Sequence, residues 1–219
     1  MAIIGLGGNC YYSCPVSNAP NCEASKTIVF NVALANLTGT QALFNATNTT
    51  TVAYQVGIAS GIFRIWNYGG GLVRGYTPTI FGSWLSLAYT YNSTGAISTI
   101  FENGTQVSTS AIAVQTGAVT QVQIFGNQWN EPSANGVKLE DLRVYNHVLT
   151  VNELITIANA QGRDNIRFGL SYQWPMNEGR PGVTLAAADV KENGGVVCSL
   201  IATTTPYHVS DVTTNLKRR

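Results

Sequence analysis

Charge is what this sequence has least of. Lys, Arg, Asp and Glu together make up 11% of its 219 residues, against roughly a quarter in an average globular protein. The net charge is +1, which leaves no global field to draw the chain onto nucleic acid or an anionic membrane. Long apolar runs are also missing. No stretch of about 18 apolar residues exists, so nothing reads as a membrane-spanning helix. The opening residues, MAIIGLGGNCYYSC, lack the basic n-region and the longer apolar core of a secretory signal. The expectation is therefore synthesis in a cytoplasm, with any release by another route. Histidine is confined to His147 and His208. Neither stands near a Ser or Cys motif, which argues against a nucleophile, base and orienting group acting together.

What is present points to an ordered β-protein. Hydrophobic residues reach 45% and the mean hydropathy is +0.08, a balance that supports a packed core. The surface must then be built from Thr, Ser, Asn, Gln and Gly, which suit strands and tight turns. All-β sandwiches often reach this length as one domain. Four cysteines occur, at Cys10, Cys14, Cys22 and Cys198. They are disulfide candidates with three possible connectivities, ahead of free thiols and of a zinc site, for which the paired Cys-x2-Cys knuckles are missing.

Residues 1–25 are rich in Gly, Pro, Asn and Cys and read as an irregular arm. From Lys26 the texture changes to short alternating runs. Ile28, Phe30 and Val32 share one face of TIVFNVALA, the pattern of a half-buried strand. Turn signals such as Asn92-Ser93-Thr94-Gly95 recur every eight to twelve residues, the spacing of a sandwich or barrel. Asn103-Gly104 lies between two alternating runs and predicts a hairpin, because a type I′ turn needs positive φ at both central positions. In VKLEDLRVYN the apolar positions are Val137, Leu139, Leu142 and Val144. Helical spacing follows through Leu149, Leu154, Ile155 and Ala158. Thr150 and Glu153 form a capping box, Leu149 and Leu154 a hydrophobic staple, and Gly162 a stop.

Three segments resemble the laminin-G-like branch of the concanavalin A-like lectin/glucanase family. They are GSWLSLAYTYNSTGAISTIFENGTQV, GVKLEDLRVYNHVLTVNELITIAN and LSYQWPMNEGRPG with AADVKENGG. The resemblance implies an all-β, antiparallel jelly-roll sandwich over residues 26–200 with one short helix near 150–160, and a tail over 201–219. The third segment corresponds to the family's first strand, yet here it comes last. Either the chain is circularly permuted and residues 169–179 complete its own sandwich, or that strand pairs with a neighbouring subunit. Trp174 is expected to be buried beside the strands of residues 26–145 in either case.

The family's glucanases need carboxylates on one strand face, about 5 Å apart for a retaining mechanism. Glu140-Asp141 is the only nearby cluster, and adjacent strand residues point to opposite faces. The chain is therefore not expected to be an enzyme. Calcium is the family's common ligand, and Asp141, or Asp189 with Glu192 and Asn193, are the candidates to hold it. Trp66, Tyr68 and Trp129 lie in loop-rich positions suited to stacking on a sugar ring, while Trp84 and Trp174 are expected in the core. Two functions follow. The C-terminal pattern NIRFGLSYQWPMNEG with TPYHVSDVTTNLKRR also resembles the tails of laminin-G-like proteins of tailed bacteriophages, which implies a virion component, a capsid decoration, cement or fibre protein contacting other virion subunits. The alternative is a lectin-like module for host-surface glycans. Neither implies nucleic acid or a membrane as partner.

Overall fold

The alternating runs around Ile28, Asn103-Gly104 and Leu139 form strands. A computed structural model describes residues 2–4, 10–34, 40–47, 52–59, 61–67, 71–78, 82–111, 116–124, 137–160, 163–174, 199–202 and 208–210. In chain order the first seven strands are β1 (Ala2–Ile4), β2 (Cys10–Pro15), β3 (Lys26–Ala33), β4 (Thr40–Thr47), β5 (Val52–Ala59), β6 (Ile62–Asn67) and β7 (Gly71–Tyr76). Then come β8 (Trp84–Asn92), β9 (Ile97–Glu102), β10 (Thr105–Ala111), β11 (Gln121–Ile124) and β12 (Lys138–Tyr145). Helix α1 (Val151–Ala160) precedes β13 (Leu170–Trp174), β14 (Ser199–Ala202) and β15 (His208–Ser210).

Two antiparallel sheets face each other. Sheet A runs β10-β9-β8-β3-β12-β1-β15, with β13 also on β12, and sheet B runs β14-β2-β11-β4-β5-β6-β7. This is the concanavalin A-like sandwich the sequence implies. Between the sheets, strand alternation delivers Ile28, Phe30 and Val32 from β3 and Leu85, Leu87, Tyr89 and Tyr91 from β8. Phe30 meets Phe44 and Phe63 of sheet B edge-on, at ring-centroid distances of 5.9 and 6.5 Å, the geometry aromatic quadrupoles favour.

The ends of the chain depart from the expectation. Residues 1–25 are not an irregular arm throughout, since β1 and β2 lie within them. Ile3 pairs with Leu139 of β12, and Val122 of β11 pairs with Cys14. Tyr12 and Cys14 are fully buried in the core. The Gly- and Pro-rich composition hides two strands too short to show a period. The tail region likewise holds β15, which pairs with β1.

The displaced strand finds its place in this chain. β13 pairs antiparallel with β12, Leu142 opposite Trp174, and shares that edge with β1. Trp174 is 0% exposed and stacks on Tyr172, ring centroids 5.5 Å apart. The Tyr172 hydroxyl accepts from the backbone N–H groups of Ser17 and Asn18, at 2.7 and 2.9 Å. β13 is thereby tied to the turn that follows β2.

The local signals around the helix hold as well. Thr150 N–H donates to the Glu153 carboxylate at 2.8 Å and Glu153 N–H to the Thr150 hydroxyl at 3.3 Å, a closed capping box. The Thr150 N–H holds the Glu153 carboxyl below its ordinary range. Leu149, Leu154 and Ile157 pack with Val29, Ala88, Phe101 and Tyr145 in a second, smaller core. This core lies on the face of sheet A turned away from sheet B. Gly162, the expected stop, lies outside the described residues.

Candidate functional site: a cleft on the outer face of sheet A

The same alternation that fills the sandwich fixes what faces outward. With Ile28, Phe30 and Val32 inside, Thr27, Val29 and Asn31 turn outward. With Leu85 and Leu87 inside, Trp84, Ser86 and Ala88 turn outward. Ser86, Asn31 and Glu140 are cross-strand neighbours on β8, β3 and β12, so they form a polar row across the sheet. Helix α1 covers the apolar part of this face and stops short of the polar row. A small cleft of about 110 Å³ remains, lined by Asn31, Trp84, Leu85, Ser86, Asn103, Glu140 and Ala158.

Its wall at the hairpin is rigid. Asn103 and Gly104 take φ values of +50° and +79°, as the type I′ turn requires. A Cβ at Gly104 would meet the Ile155 backbone at 2.9 Å, so only glycine lets the turn tuck against α1. Asn103 N–H donates to Ser86 O at 2.7 Å, and the Asn103 side-chain oxygen accepts from Ser86 N–H at 2.9 Å. Asn31 is the unusual member. It is 7% exposed, and its side-chain N–H₂ has no hydrogen-bond partner among the described residues. Leaving such a donor buried and unpaired costs about 1–3 kcal/mol.

The two adjacent acids are separated by a bulge. The register of β12 against β3 shifts between Glu140 and Leu142, and Asp141 takes φ +61°, a left-handed conformation that Asp tolerates better than most residues. The acids were expected on opposite faces. Instead both belong to the outer side, Glu140 at the cleft and Asp141 in an ionic cluster. The spacing from Leu139 to Leu142, three rather than two, was the signal for this bulge.

At the centre of that cluster is Arg143, 0% exposed. Its guanidinium binds Asp164 bidentately at 2.8 and 2.9 Å, donates from Nε to Asp141 at 2.8 Å and reaches the Tyr145 hydroxyl at 3.2 Å. The other Asp141 oxygen accepts from Gln173 at 2.5 Å. Burial pulls the Arg143 pKa down, but its bonds to Asp164 and Asp141 more than offset this, and the charge is held. For Asp164, burial pushes the carboxyl up, while Arg143 and the Ile166 N–H pull it below its ordinary value. Both Asp141 oxygens are therefore engaged, and this residue does not fit the calcium role proposed for it. Asp189, Glu192 and Asn193 lie outside the described residues. Among the described residues no group of three or more His, Cys, Asp or Glu side chains could hold a metal ion.

The remaining expectations sort as follows. Trp84 is not a core residue. Its parity with Leu85 and Leu87 places it outward, half-buried, in the cleft wall. Trp66 is half-buried on β6 of sheet B and does not line this cleft. Tyr68 and Trp129 lie outside the described residues. Cys14 is disulfide-bonded, with a partner outside the residues whose side chains are described. Cys22 is a buried free thiol, which removes it from the disulfide candidates. Its backbone carbonyl instead accepts from the Lys26 ammonium at 2.6 Å. The side chains of Cys10 and Cys198 lie outside the described residues. Sequence reasoning missed Asn31, Ser86 and Asn103, whose outward placement follows from strand parity and from the hairpin turn it had already located.

A lectin-type sandwich with an aromatic and amide-lined cleft defines the class of protein. The chain belongs to the concanavalin A-like lectin/glucanases superfamily, whose laminin-G-type family model matches residues 6–155. No curated protein sequence matches it. Among solved structures, a candidate carbohydrate-binding protein from Bacteroides ovatus is similar over 93% of this chain and 61% of its own, at TM-score 0.62 and 16% identity. The botulinum neurotoxin type G receptor-binding domain is similar over 73% and 46%, at TM-score 0.51 and 13% identity. Trypanosoma rangeli sialidase, solved with sialic acid, is similar over 64% and 24%, at TM-score 0.51 and 16% identity. The chain spans less than two thirds of the length of each, and at these identities the likeness is one of fold.

Proposed function

We propose that the chain is a carbohydrate-binding, lectin-like module that uses the cleft on the outer face of sheet A. The observation that carries this reading is the half-buried Trp84 indole in one small cleft with Asn31, whose buried amide N–H₂ has no hydrogen-bond partner among the described residues. Sugar binding needs an apolar ring face to stack on and fixed polar groups to orient hydroxyls. The cleft offers both, on strands and a locked hairpin turn. The similar solved structures support a binding module over the virion-component reading, because they include a candidate carbohydrate-binding protein and a receptor-binding domain. One carboxylate, Glu140, is among the residues lining the cleft, whereas glycoside hydrolysis uses two. Binding without turnover is the reading this supports.

Probing an array of glycans with the full chain and with Trp84→Ala tests the proposal. The expected result is retained signal for the full chain and loss for the variant, with both equally folded by circular dichroism. A full chain that binds no glycan on the array defeats the reading.

A further inference from the structure

We infer that Cys14 of β2 is covalently joined to Cys198, the residue just before β14, so that a disulfide clasps the C-terminal part of the chain to its N-terminal part. Cys14 is disulfide-bonded and fully buried, and the chain offers three candidates for its partner, Cys10, Cys22 and Cys198. Cys22 is excluded because it carries a free thiol. Cys10 stands four residues from Cys14 on the same strand, Cys10–Pro15. An extended strand rises about 3.3 Å per residue, which puts these two Cα atoms about 13 Å apart. A disulfide spans only about 4–7 Å between Cα atoms. Within this chain Cys198 is left.

Strand register leads to the same residue independently. β14 is an edge strand of sheet B and pairs antiparallel with β2, Leu200 opposite Tyr12 and Ser199 opposite Ser13. One step further along both strands, the position opposite Cys14 belongs to Cys198. Directly opposed residues of an antiparallel pair have Cα atoms about 4.5 or 5.5 Å apart and side chains on one face, within the span a disulfide needs. The same register sets Cys10 opposite Ala202, where it meets no thiol. On the other side of β2, Val122 of β11 faces Cys14, and both belong to the core between the sheets. Bond formation oxidises two thiols. Cys14 and Cys198 each give up one proton and one electron, the S–S bond forms, and a small-molecule disulfide such as oxidised glutathione is reduced to two thiols. Cys22 competes poorly, since burial pushes its thiol up and keeps it protonated, whereas only the thiolate attacks. Structural disulfides persist in oxidising compartments, which fits a chain that works outside a reducing cytoplasm.

The test is a disulfide map of the full chain, folded in a buffer of reduced and oxidised glutathione. Free thiols are blocked with N-ethylmaleimide in denaturant, a gel without reductant separates monomer from linked dimer, and the monomer is cut with trypsin. Cleavage after Lys26, Lys191 and Lys217 leaves Cys10, Cys14 and Cys22 in one peptide and Cys198 in another. One crosslink joining these two peptides is expected, with tandem mass spectra placing it at Cys14 and the maleimide on Cys10 and Cys22. A crosslink from Cys14 to Cys10, a maleimide-blocked Cys198, or a chain found only as a disulfide-linked dimer overturns the clasp. Cys198→Ala should lower the melting temperature by about 5–15 °C, to the value of wild type folded and held in dithiothreitol. A variant that melts with the oxidised wild type overturns the clasp as well. Where Cys198→Ala does not fold, the peptide map of the wild type decides alone.

Discussion

On the inner face of sheet A, Lys26 is 1% exposed, its ammonium 5.1 Å from the centre of the Tyr54 ring and 4.8 Å from that of Tyr91. On the outer face Arg143 is 0% exposed and held by two carboxylates. The inner cation donates to three neutral groups, the carbonyls of Asn21, Cys22 and Ala24 at 3.0, 2.6 and 2.7 Å. Burial pulls its pKa down to about 7, while the charges of Cys22 and Glu23 work against that pull. The outer cation keeps its charge because Asp141 and Asp164 pair with it. The inner face is thus an apolar core with charge at its margins, Lys26 on β3 and the nearly buried Glu102 on β9, which accepts from the Tyr76 hydroxyl of sheet B. The outer face is a polar surface partly sealed by a helix, and it has polar groups to spare. Asn31 is one of these, and it stands in the cleft.

Removing the largest inner side chain gives the largest expected effect. Trp174→Ala empties a site between β12 and the opposing sheet and should cost about 3–5 kcal/mol, read from the guanidinium midpoint. A loss below about 1 kcal/mol would mean the inner face does not depend on this strand. Trp174 also has a buried indole N–H without a partner among the described residues. Trp174→Phe should therefore cost clearly less than Trp174→Ala, because it deletes an unpaired donor along with part of the ring.

On the outer face, Arg143→Met should cost a similar amount, about 3–5 kcal/mol, since it strands Asp141 and Asp164 without their cation. Replacing Arg143, Asp141 and Asp164 together with apolar residues should recover much of this, because desolvation of the cluster offsets much of its attraction. The acid limb carries the same signature. The folded Asp164 pKa lies below its ordinary 3.8, so its contribution is present above that value and is lost as pH falls through the folded pKa. Asp164→Asn should flatten that limb in acid titrations followed by fluorescence.

Lys26 should give a pH dependence of the same sign in an alkaline window, because its folded pKa is lowered too. Unfolded, its amine titrates near 10.5, and folded near 7. Between those values the unfolded chain binds the extra proton, so stability rises with pH, by up to about 1.4 kcal/mol per pH unit. Melting temperatures from pH 7 to about 8.5 should climb in the wild type and stay level in Lys26→Met. Above that range Cys22 and the buried tyrosines, whose pKa values burial raises, act in the reverse direction. A wild-type profile as flat as the variant's would show that the three carbonyls hold the proton on Lys26 throughout, and the contrast with Arg143 would shrink.

The inner face was legible because it obeys one rule. Ile28, Phe30 and Val32 announce their burial by alternation, and Trp174 by the same alternation with Tyr172. The hairpin at Asn103-Gly104 and the capping box at Thr150 were legible because each is a local event with its own chemistry. The outer face was not, for three physical reasons. Its second core forms only when α1 folds back, a long-range contact with no period. Its ionic cluster depends on a one-residue bulge at Asp141, which reverses the facing that simple alternation assigns. Its cleft is made of residues far apart in sequence that share only their parity. Trp84 shows the cost of reading residue type before parity. As a large aromatic it was assigned to the core, although Leu85 and Leu87 had already claimed that side of β8. The terminal strands were hidden differently, since three to six residues of Ala2–Ile4 and Cys10–Pro15 are too few to show a pattern.

The smallest expected effect on stability belongs to Trp84, and it sharpens the comparison most. Its indole is half-buried in the cleft wall and lies outside both core clusters. Trp84→Ala should therefore cost less than about 1 kcal/mol, well below the loss for Trp174→Ala, although the two substitutions delete the same atoms. Under the proposed function, binding should invert this order, because sugar stacking on a half-buried indole is lost outright when the ring goes. Measured side by side, the two alanine variants test whether Trp174 holds the sandwich and Trp84 the proposed ligand. A Trp84→Ala protein that melts as early as Trp174→Ala would place the indole in the structural core. The cleft would then lose its stacking surface, and the outer face its claim to function.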